Sequence, residues 1–300
     1  MIKTAYFKAR KWAKSGSAAT LDRVRDFLVE LDAQTRPERV RNTRRGADGV
    51  RAGRTPAGGI HRESKMPQDT RVYAVGDVHG RVDLLRKLME MIAEDAAAGE
   101  ESRVVLIFLG DYVDRGFKSK DVIDFLLSDA LAPYETYCLK GNHEAAFETF
   151  LSDSAFGPQW ARFGGAETLM SYGIQPPRAK TQPGSWEAVC RELNRALPDP
   201  HRSFLGSLSL YATLGDYVFV HAGLRPGVPL QDQAERDILW IRDEFLNDER
   251  AFDRVVVHGH TPVETPYRDH RRIAVDTGAY LTGKLTAARF IGDRVTFLTT

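Results

Sequence analysis

The sequence predicts an α/β fold in which a sandwich of largely parallel strands is flanked by helices and carries a helical cap insertion. From Arg71 onward, short runs rich in β-forming residues alternate with helical patterns, which is typical of βαβ units. The strand-like runs are Val72 to Val75, Val104 to Phe108, Thr136 to Leu139, Tyr217 to Val220, Val255 to Val257 and Ile273 to Val275, followed by a hairpin that turns at Gly292 and Asp293. The helical patterns are Val82 to Ala97, Asp121 to Leu127 and Glu144 to Leu151. Residues 152–210 contain no strand-like run, so we expect them to form the helical insertion.

The first 70 residues differ from the rest of the chain in charge. They hold 16 Lys and Arg against 8 Asp and Glu, a net charge of +8, whereas the other 230 residues hold 26 against 33, a net charge of −7. Apolar residues between Leu21 and Leu31 recur at helical spacing, but residues 33–66 are rich in Arg, Gly and Pro and cannot bury enough apolar surface to fold alone. We therefore expect a basic extension at 1–70, partly helical and partly disordered, and a folded domain at 71–300. The extension is a candidate contact for acidic partners.

Composition sets further bounds. The net charge of the whole chain is only +1, which gives no general bias toward nucleic acid or membranes. The two cysteines, Cys138 and Cys190, form no metal-binding or redox pair motif and no disulfide framework, which suits a reducing cytosol. The apolar runs are too short to span a bilayer, and the N-terminus lacks the apolar core of a secretory signal. These features predict a cytoplasmic protein without a transmembrane segment.

Polar residues follow five of the predicted strands, at the point where each strand ends. The segments are GDVHG (76–80), GDYVDRG (110–116), GNHE (141–144), HAG (221–223) and HGHTP (258–262). They contain five of the eight histidines of the chain. Because ligands bind outside the carboxyl ends of strands in open α/β sheets, we expect these side chains to converge.

The residue types in these segments indicate a centre with more than one metal ion. Asp, His and Asn ligands without thiolate suit Mn²⁺, Fe or Zn better than Mg²⁺ alone. One carboxylate can bridge two such ions about 3.5–4 Å apart, the spacing of two-metal hydrolases. A single Asp-x-His pair at a strand end is more often structural, but an ordered set of five segments is hard to explain without metal. We expect two divalent ions, with Mn²⁺ first and Fe or Zn as alternatives.

The five segments together resemble the motifs of the calcineurin-like metallophosphoesterases, specifically those of the bacterial members of their phosphoprotein phosphatase branch. The resemblance covers residues 71–300 and implies the metallophosphoesterase β-sandwich with its flanking helices. It implies that Asp77 and His79 bind the first metal and that Asp111 bridges the two ions. Asn142, His221 and His260 would then bind the second metal.

The same resemblance implies the catalytic roles. A metal-bridging hydroxide would attack phosphorus in line, and His143, oriented by Asp114, would protonate the leaving oxygen. Arg115 and Arg242 would bind the phosphate oxygens, a task that suits a planar guanidinium with its forked donors. Glu144 is interpreted as a support for the ligands or for a helix N-terminus, and the role of His258 stays open.

The substrate class is predicted from smaller differences between related families. Asp114 and the glutamate of GNHE are those of the protein phosphatases, so a serine/threonine phosphatase acting on phosphoproteins is the first interpretation. HAG in place of HGG, and the missing C-terminal SAPNY segment, depart from the eukaryotic enzymes of that class. Symmetrical hydrolysis of dinucleoside tetraphosphates, or decapping of an RNA 5′ end, is the alternative, and other phosphorylated small molecules remain open as substrates.

Two other classes fit the sequence less well. A catalytically dead scaffold or nucleic-acid-binding protein would require the loss of a ligand, and no ligand of the set is missing. A nuclease of the same superfamily would show GHxH, whereas this chain has Gly259, His260, Thr261 and Pro262.

Overall fold

The computed structural model describes residues 64–177 and 184–300, and these residues form two five-stranded sheets. The strands are β1 (Thr70–Val75), β2 (Arg103–Phe108), β3 (Glu135–Cys138), β4 (Tyr211–Leu214), β5 (Tyr217–Val220), β6 (Val255–His258), β7 (Tyr267–Arg268), β8 (Arg272–Ala274), β9 (Thr286–Ile291) and β10 (Arg294–Thr299). The first sheet has the order β10-β9-β1-β2-β3 and the second the order β4-β5-β6-β8-β7. The α/β class predicted from the sequence is confirmed.

Each sheet has a parallel centre and at least one antiparallel edge. In the first sheet β1, β2 and β3 run parallel, while the β9–β10 hairpin pairs antiparallel to β1. In the second sheet β5, β6 and β8 run parallel, while β4 and β7 are antiparallel edge strands. The edge strands β4 and β7 were absent from our prediction, because short, half-exposed runs carry a weak apolar signal.

The core lies between the two sheets. Alternate residues of the strands face it, because side chains of a strand point to opposite faces with a period of two. Val72 and Ala74 of β1 pack in the same buried cluster as Tyr217 and Phe219 of β5. Phe290 of β9 joins the two sheets directly, since its ring centroid lies 4.9 Å from that of Tyr217 and 5.8 Å from that of Phe219.

Helices connect the strands and cover the sheets. They are α1 (Val82–Ala97), α2 (Ser119–Leu126), α3 (Asn142–Ser152), α4 (Gly157–Trp160), α5 (Ala166–Ser171), α6 (Ser185–Ala196), α7 (Asp199–Ser207), α8 (Glu235–Trp240), α9 (Asp243–Leu246) and α10 (Ala279–Thr282), with a π-helical turn at Ala161–Gly165 and 3₁₀ turns at Asp129–Leu131, Ser154–Phe156 and Leu230–Asp232. The bounds of α1 agree with the sequence pattern, and α2 and α3 each begin two residues earlier than predicted. Between β3 and β4 the described residues are largely helical. No helix within 64–177 or 184–300 has the length and apolarity needed to cross a membrane.

The predictions for residues 1–63 lie outside the described residues. At the end of the predicted extension, however, residues 64–69 contact the folded unit. Met66 is buried in the core, and its backbone N–H donates to the Gly292 carbonyl at 2.8 Å. The N–H of Lys65 donates to the Asp216 carboxylate at 2.9 Å. Met66 therefore belongs to the core of the folded unit. The sequence pattern places it in the stretch at 33–66 that cannot fold alone.

Glu144 joins the loop after β2 to the start of α3. Its Oε2 accepts hydrogen bonds from the backbone N–H groups of Asp111 and Gly141, each at 2.9 Å. Its Oε1 accepts from the N–H groups of Tyr112 at 2.8 Å and Val113 at 3.2 Å. Burial raises the pKa of Glu144 to about 7, and the N–H donors of Tyr112 and Gly141 oppose that rise. One buried side chain thus fixes the backbone of the two loops that carry Asp111 and Asn142.

We expect Glu144→Ala to lower the free energy of unfolding by at least about 3 kcal/mol. Four buried N–H groups would lose their acceptor, and each unsatisfied group costs about 1–3 kcal/mol. Equilibrium unfolding in urea measures the change. The matched control is Glu148→Ala on the same helix, where a half-buried ion pair with Lys140 is lost at a cost of about 1 kcal/mol or less. Equal stability of the two variants would contradict the bracing role of Glu144.

Candidate metal centre

The two sheets deliver polar side chains to one buried cluster. In chain order these are Asp77 and His79 after β1, Asp111 after β2, Asn142 after β3, His221 after β5 and His260 after β6. All six residues are buried. Their loops meet because the carboxyl ends of the parallel strands in both sheets point to the same place.

Asp111 lies at the centre of the cluster. Its Oδ2 is 3.5 Å from His79 Nε2 and 3.9 Å from His143 Nε2, and its Oδ1 is 3.4 Å from His221 Nε2. Asp111 belongs to two groups of potential metal-ligand atoms. Within each group the atoms lie within 4.8 Å of one another. One group consists of His79, Asp111 and His143, and the other of Asp111, His221 and His260. A carboxylate with one oxygen toward each group has the arrangement of a bridging ligand.

The histidines of the cluster have the hydrogen bonds that metal ligands need. His79 Nδ1 lies 2.8 Å from the Val113 carbonyl, and His221 Nδ1 lies 2.9 Å from the Leu109 carbonyl. A carbonyl can only accept, so Nδ1 donates in each case, and in the neutral form of either ring the lone pair lies on Nε2, the atom that faces Asp111. His79 Nε2 and His260 Nε2 are buried without any hydrogen-bond partner. Buried lone pairs without a donor fit a bound cation.

The charges of the cluster agree with that fit. Burial lowers the pKa of His79 and of His260 well below its usual range, which keeps both rings in the neutral, metal-binding form. Against the effect of burial, Asp111 raises the pKa of His221 to about 9. The carboxylate therefore favours positive charge beside Nε2 of this ring, which a bound cation would also supply.

Asp77 and Asn142 contact the second group in different ways. Asn142 Oδ1 lies 2.8 Å from His221 Nε2 and 2.9 Å from His260 Nδ1. Asp77 belongs to neither group of ligand atoms, and both of its carboxylate oxygens accept from the N–H of His260 at 3.1 Å. Burial and the neighbouring carboxylate of Asp276 raise the pKa of Asp77 well above its usual range. Three buried carboxylates, those of Asp77, Asp111 and Asp276, thus stand close enough to need compensating positive charge.

The backbone of the cluster is strained where these side chains are presented. Among the described residues, six non-glycine residues have positive φ, and five of them belong to the predicted site. The five are His79 (45°), Asp111 (53°), Asp114 (69°), Arg115 (66°) and His260 (64°). Such conformations are uncommon for non-glycine residues and concentrate at functional sites, where the surrounding structure stabilises them.

Two glycines make room for the carboxylates. A Cβ at Gly141 would lie 2.1 Å from Asp111 Oδ1, and a Cβ at Gly259 would lie 2.2 Å from Asp77 Oδ1. Any larger residue at either position would displace a carboxylate of the cluster. These two glycines therefore allow the backbone to pass close to the two carboxylates.

His143 is held by a buried hydrogen-bond chain. Its Nδ1 lies 2.7 Å from Asp114 Oδ2, and its Nε2 lies 3.1 Å from Arg115 Nη2. A guanidinium can only donate, so Nε2 accepts and the ring proton lies on Nδ1, from which it donates to Asp114. Asp114 also accepts from Thr168 Oγ1 at 2.7 Å and from Trp160 Nε1 at 3.0 Å. Burial raises the pKa of Asp114 to about 8 and lowers that of His143 to about 3.

Two guanidinium groups face the cluster, those of Arg115 in the loop after β2 and of Arg242 after α8. Arg115 is fixed through its backbone N–H, which donates to the Gly164 carbonyl at 3.1 Å, and its guanidinium carbon lies 4.7 Å from the ring centroid of Tyr280. Arg242 Nη1 donates to Thr261 Oγ1 at 3.5 Å. Burial and the nearby charge of Arg115 lower the pKa of Arg242. Two adjacent guanidinium groups that repel each other form a natural site for an anion such as phosphate.

Several contacts of the site were not predicted. Trp160 and Thr168 lie within the stretch whose sequence we interpreted only as part of the insertion, and Asp276 and Tyr280 lie beyond the last recognisable motif. No local signal marks these four residues, because their contacts with the site span long sequence separations. His258 is buried outside both groups of ligand atoms, with Nε2 3.2 Å from Arg272 Nη1, and His201 binds Tyr172 and Asp124 away from the site.

Comparisons with known proteins agree with this architecture. The family model of the calcineurin-like phosphoesterases matches residues 70–290. The chain is 28% identical over 236 residues to the asymmetrical bis(5′-nucleosyl)-tetraphosphatase PrpE of Bacillus subtilis, covering 72% of this chain and 89% of that protein. It is 25% identical over 237 residues to the protein of the same name from Anoxybacillus flavithermus, with the same coverage of both chains.

Solved structures share the fold at lower sequence identity. A crystal structure named provisionally as a diadenosine tetraphosphatase covers 76% of this chain and 93% of its own, with a TM-score of 0.52 and 21% identity. A variant of a cold-active protein tyrosine phosphatase covers 82% of this chain and 85% of its own, with a TM-score of 0.52 and 17% identity. From the match of the family model over most of the chain, we conclude that this protein belongs to the calcineurin-like phosphoesterase family.

Proposed function

We propose that this protein hydrolyses bis(5′-nucleosyl) tetraphosphates, and that it cleaves them asymmetrically. The observation that carries the proposal is the Asp111 carboxylate, shared between two groups of buried ligand atoms and faced by two guanidinium groups. This arrangement suits a phosphoric ester or anhydride as substrate. The choice of substrate is supported by the asymmetrical tetraphosphatases named above, which match this chain over 89% of their own length.

The proposed metal ligands are the six residues implied by the sequence. His79, Asp77 and Asp111 would hold one divalent ion, and Asn142, His221 and His260 would hold the other together with Asp111. The fit rests on the unpartnered nitrogens of His79 and His260 and on the mixed imidazole and oxygen donors, which suit Mn²⁺, Fe or Zn. The bound ions would supply Lewis-acid charge to the phosphoryl group. His143 Nε2 belongs to the first group of ligand atoms as well, so its imidazole could also contribute to holding that ion.

The protein's own residues would bind the substrate and manage the proton. Arg115 and Arg242 would bind oxygens of the transferred phosphoryl group, and a phosphate at Arg115 would free His143 Nε2 from its present donor. His143 Nε2 would then be free to take up a proton from water and pass it to the leaving oxygen. Asp114 would hold the ring in place from Nδ1, and Thr168 and Trp160 would hold Asp114.

A protein serine/threonine phosphatase is the second candidate. The Asp114–His143 pair favours it, because a serine alkoxide is a poor leaving group that needs a proton. Nucleotide phosphate, with a second pKa of about 6, needs protonation much less. The curated relatives point to the tetraphosphate, so it comes first.

Product analysis separates these possibilities. We expect the purified protein with Mn²⁺ to convert diadenosine tetraphosphate into equal amounts of AMP and ATP, as judged by anion-exchange chromatography of early time points. It should also act on this substrate with a higher kcat/KM than on phosphoserine and phosphotyrosine peptides at the same metal concentration. Two molecules of ADP would show symmetrical cleavage and contradict that part of the proposal. A higher kcat/KM on a phosphopeptide would favour the protein phosphatase.

The role of His143 can be tested by varying the leaving group. His143→Asn removes the transferable proton, so turnover of a phosphoserine peptide should fall by about 10²–10⁴-fold. Hydrolysis of diadenosine tetraphosphate should fall clearly less, because its nucleotide leaving group departs without protonation. The control is His270→Asn, since His270 is an exposed histidine outside the site. Equal losses on both substrates, at equal metal content, would assign His143 to positioning instead of proton transfer.

A further inference from the structure

Three exposed apolar residues lie on the two chain segments that carry or contact Arg115. They are Phe117, Tyr280 and Leu281, which we call the apolar rim, and their exposed fractions are 66%, 37% and 79%. The described residues include seven exposed large hydrophobic side chains, and the rim contains the two most exposed of them. Single exposed apolar residues are ordinary, but a group of them beside a polar cleft is typical of a binding site.

The rim adjoins the phosphate-binding guanidinium through direct contacts. Tyr280 lies beneath Arg115, with the guanidinium carbon 4.7 Å from its ring centroid, and edge-on to His79, with 5.4 Å between ring centroids. Phe117 follows Arg115 by two residues. The two parts of the rim are bridged by the loop after β1. A Cβ at Gly80 would lie 2.5 Å from the Gly116 carbonyl oxygen, and Arg81 Nη1 donates to the Ala279 carbonyl at 3.0 Å.

The short helix that carries Tyr280 and Leu281 is fixed to the site. Glycines in left-handed conformation bound α10 on both sides, Gly278 with φ 67° and Gly283 with φ 71°. The N–H of Gly278 donates to Asp276 Oδ1 at 2.8 Å, and Thr282 Oγ1 donates to the Thr277 carbonyl at 2.8 Å. Asp276 is one of the three buried carboxylates of the site. The rim is therefore held at a set place relative to the cluster, although its side chains face solvent.

We infer that the apolar rim binds a nucleobase of the substrate, at the end of the phosphate chain that Arg115 holds. The inference rests on the proposed function and specifies which part of the chain recognises the nucleoside. A base has a flat apolar face, and it gains affinity by stacking on aromatic and apolar side chains without a base-specific hydrogen bond. Tyr280 joins the cationic group to the rim, as the sugar joins the phosphate to the base in a nucleotide. The rim should accordingly accept different bases with similar affinity.

Competition by two inhibitors isolates the contribution of the base. Hydrolysis of p-nitrophenyl phosphate serves as the reporter, and the inhibition constants of ADP and pyrophosphate are compared. ADP carries the base, whereas pyrophosphate presents only the phosphate groups. In Phe117→Ser and in Leu281→Ser, the inhibition constant of ADP should rise between about 5-fold and about 100-fold, while that of pyrophosphate stays within about 2-fold. The control is Leu127→Ser, an exposed apolar residue (44%) after α2 and outside the rim, which should change neither constant.

The outcomes separate the rim from the proposed function. If neither rim variant changes the constant for ADP, or if both inhibitors weaken together, the base does not bind at the rim and the inference is overturned. If the variants raise the inhibition constant of a phosphopeptide more than that of ADP, the inference is also overturned, and the rim is assigned to a peptide. The remaining outcome is that the wild-type protein fails to cleave diadenosine tetraphosphate while the rim variants still weaken inhibition by ADP alone. In that case the proposed function fails and the nucleotide subsite stands.

Discussion

The buried carboxylate of Asp111 is the charge around which the site is built. Moving an unpaired carboxylate out of water costs several kcal/mol, so its burial needs compensation. Part of it comes from the N–H of His143, which donates to Asp111 Oδ1 at 3.1 Å, and from the imidazoles of His221 and His143, which hold the pKa of Asp111 well below its usual range against the effect of burial. Asp77 and Asp276 add two more buried carboxylates. Arg115 and Arg242 bring positive charge near the cluster, but the buried lone pairs of His79 and His260 have no donor, and this is the feature that fits bound cations.

The helical segment after β3 supports the site through Asp114 and Arg115. Trp160 and Thr168 donate to the Asp114 carboxylate, and the Gly164 carbonyl accepts from the N–H of Arg115. Gly164 itself has φ 106°, and a Cβ there would lie 2.4 Å from the Arg115 nitrogen. Asp114 and Arg115 are thus positioned by residues 160–168, a part of the chain that supplies no predicted ligand. Changes in this segment should therefore alter catalysis without altering the metal content.

The sequence predicted the parts of the protein that are encoded locally. Buried strands such as β1 appear as apolar runs, and the polar residues directly after them identify the site because a parallel sheet brings its carboxyl ends together. The assignment of each strand to one of the two sheets was not predictable in this way, since pairing of β9 with β1 joins residues more than 200 positions apart. The contacts of Trp160, Thr168 and Tyr280 also depend on tertiary packing, and neither their residue type nor their spacing marks them. The hydrogen bond from the His260 N–H to Asp77 links a loop of the first sheet to a loop of the second, so it too depends on how the sheets pack.

The central claim is that Asp111 is shared by two metal ions. Anomalous diffraction from crystals grown with Mn²⁺ tests it most directly, because the anomalous signal locates each ion without reference to the expected ligands. Two peaks of similar height are expected, one on each side of the Asp111 carboxylate, with His79 beside one and His221 and His260 beside the other. A single peak, or two peaks that do not share Asp111, would contradict it.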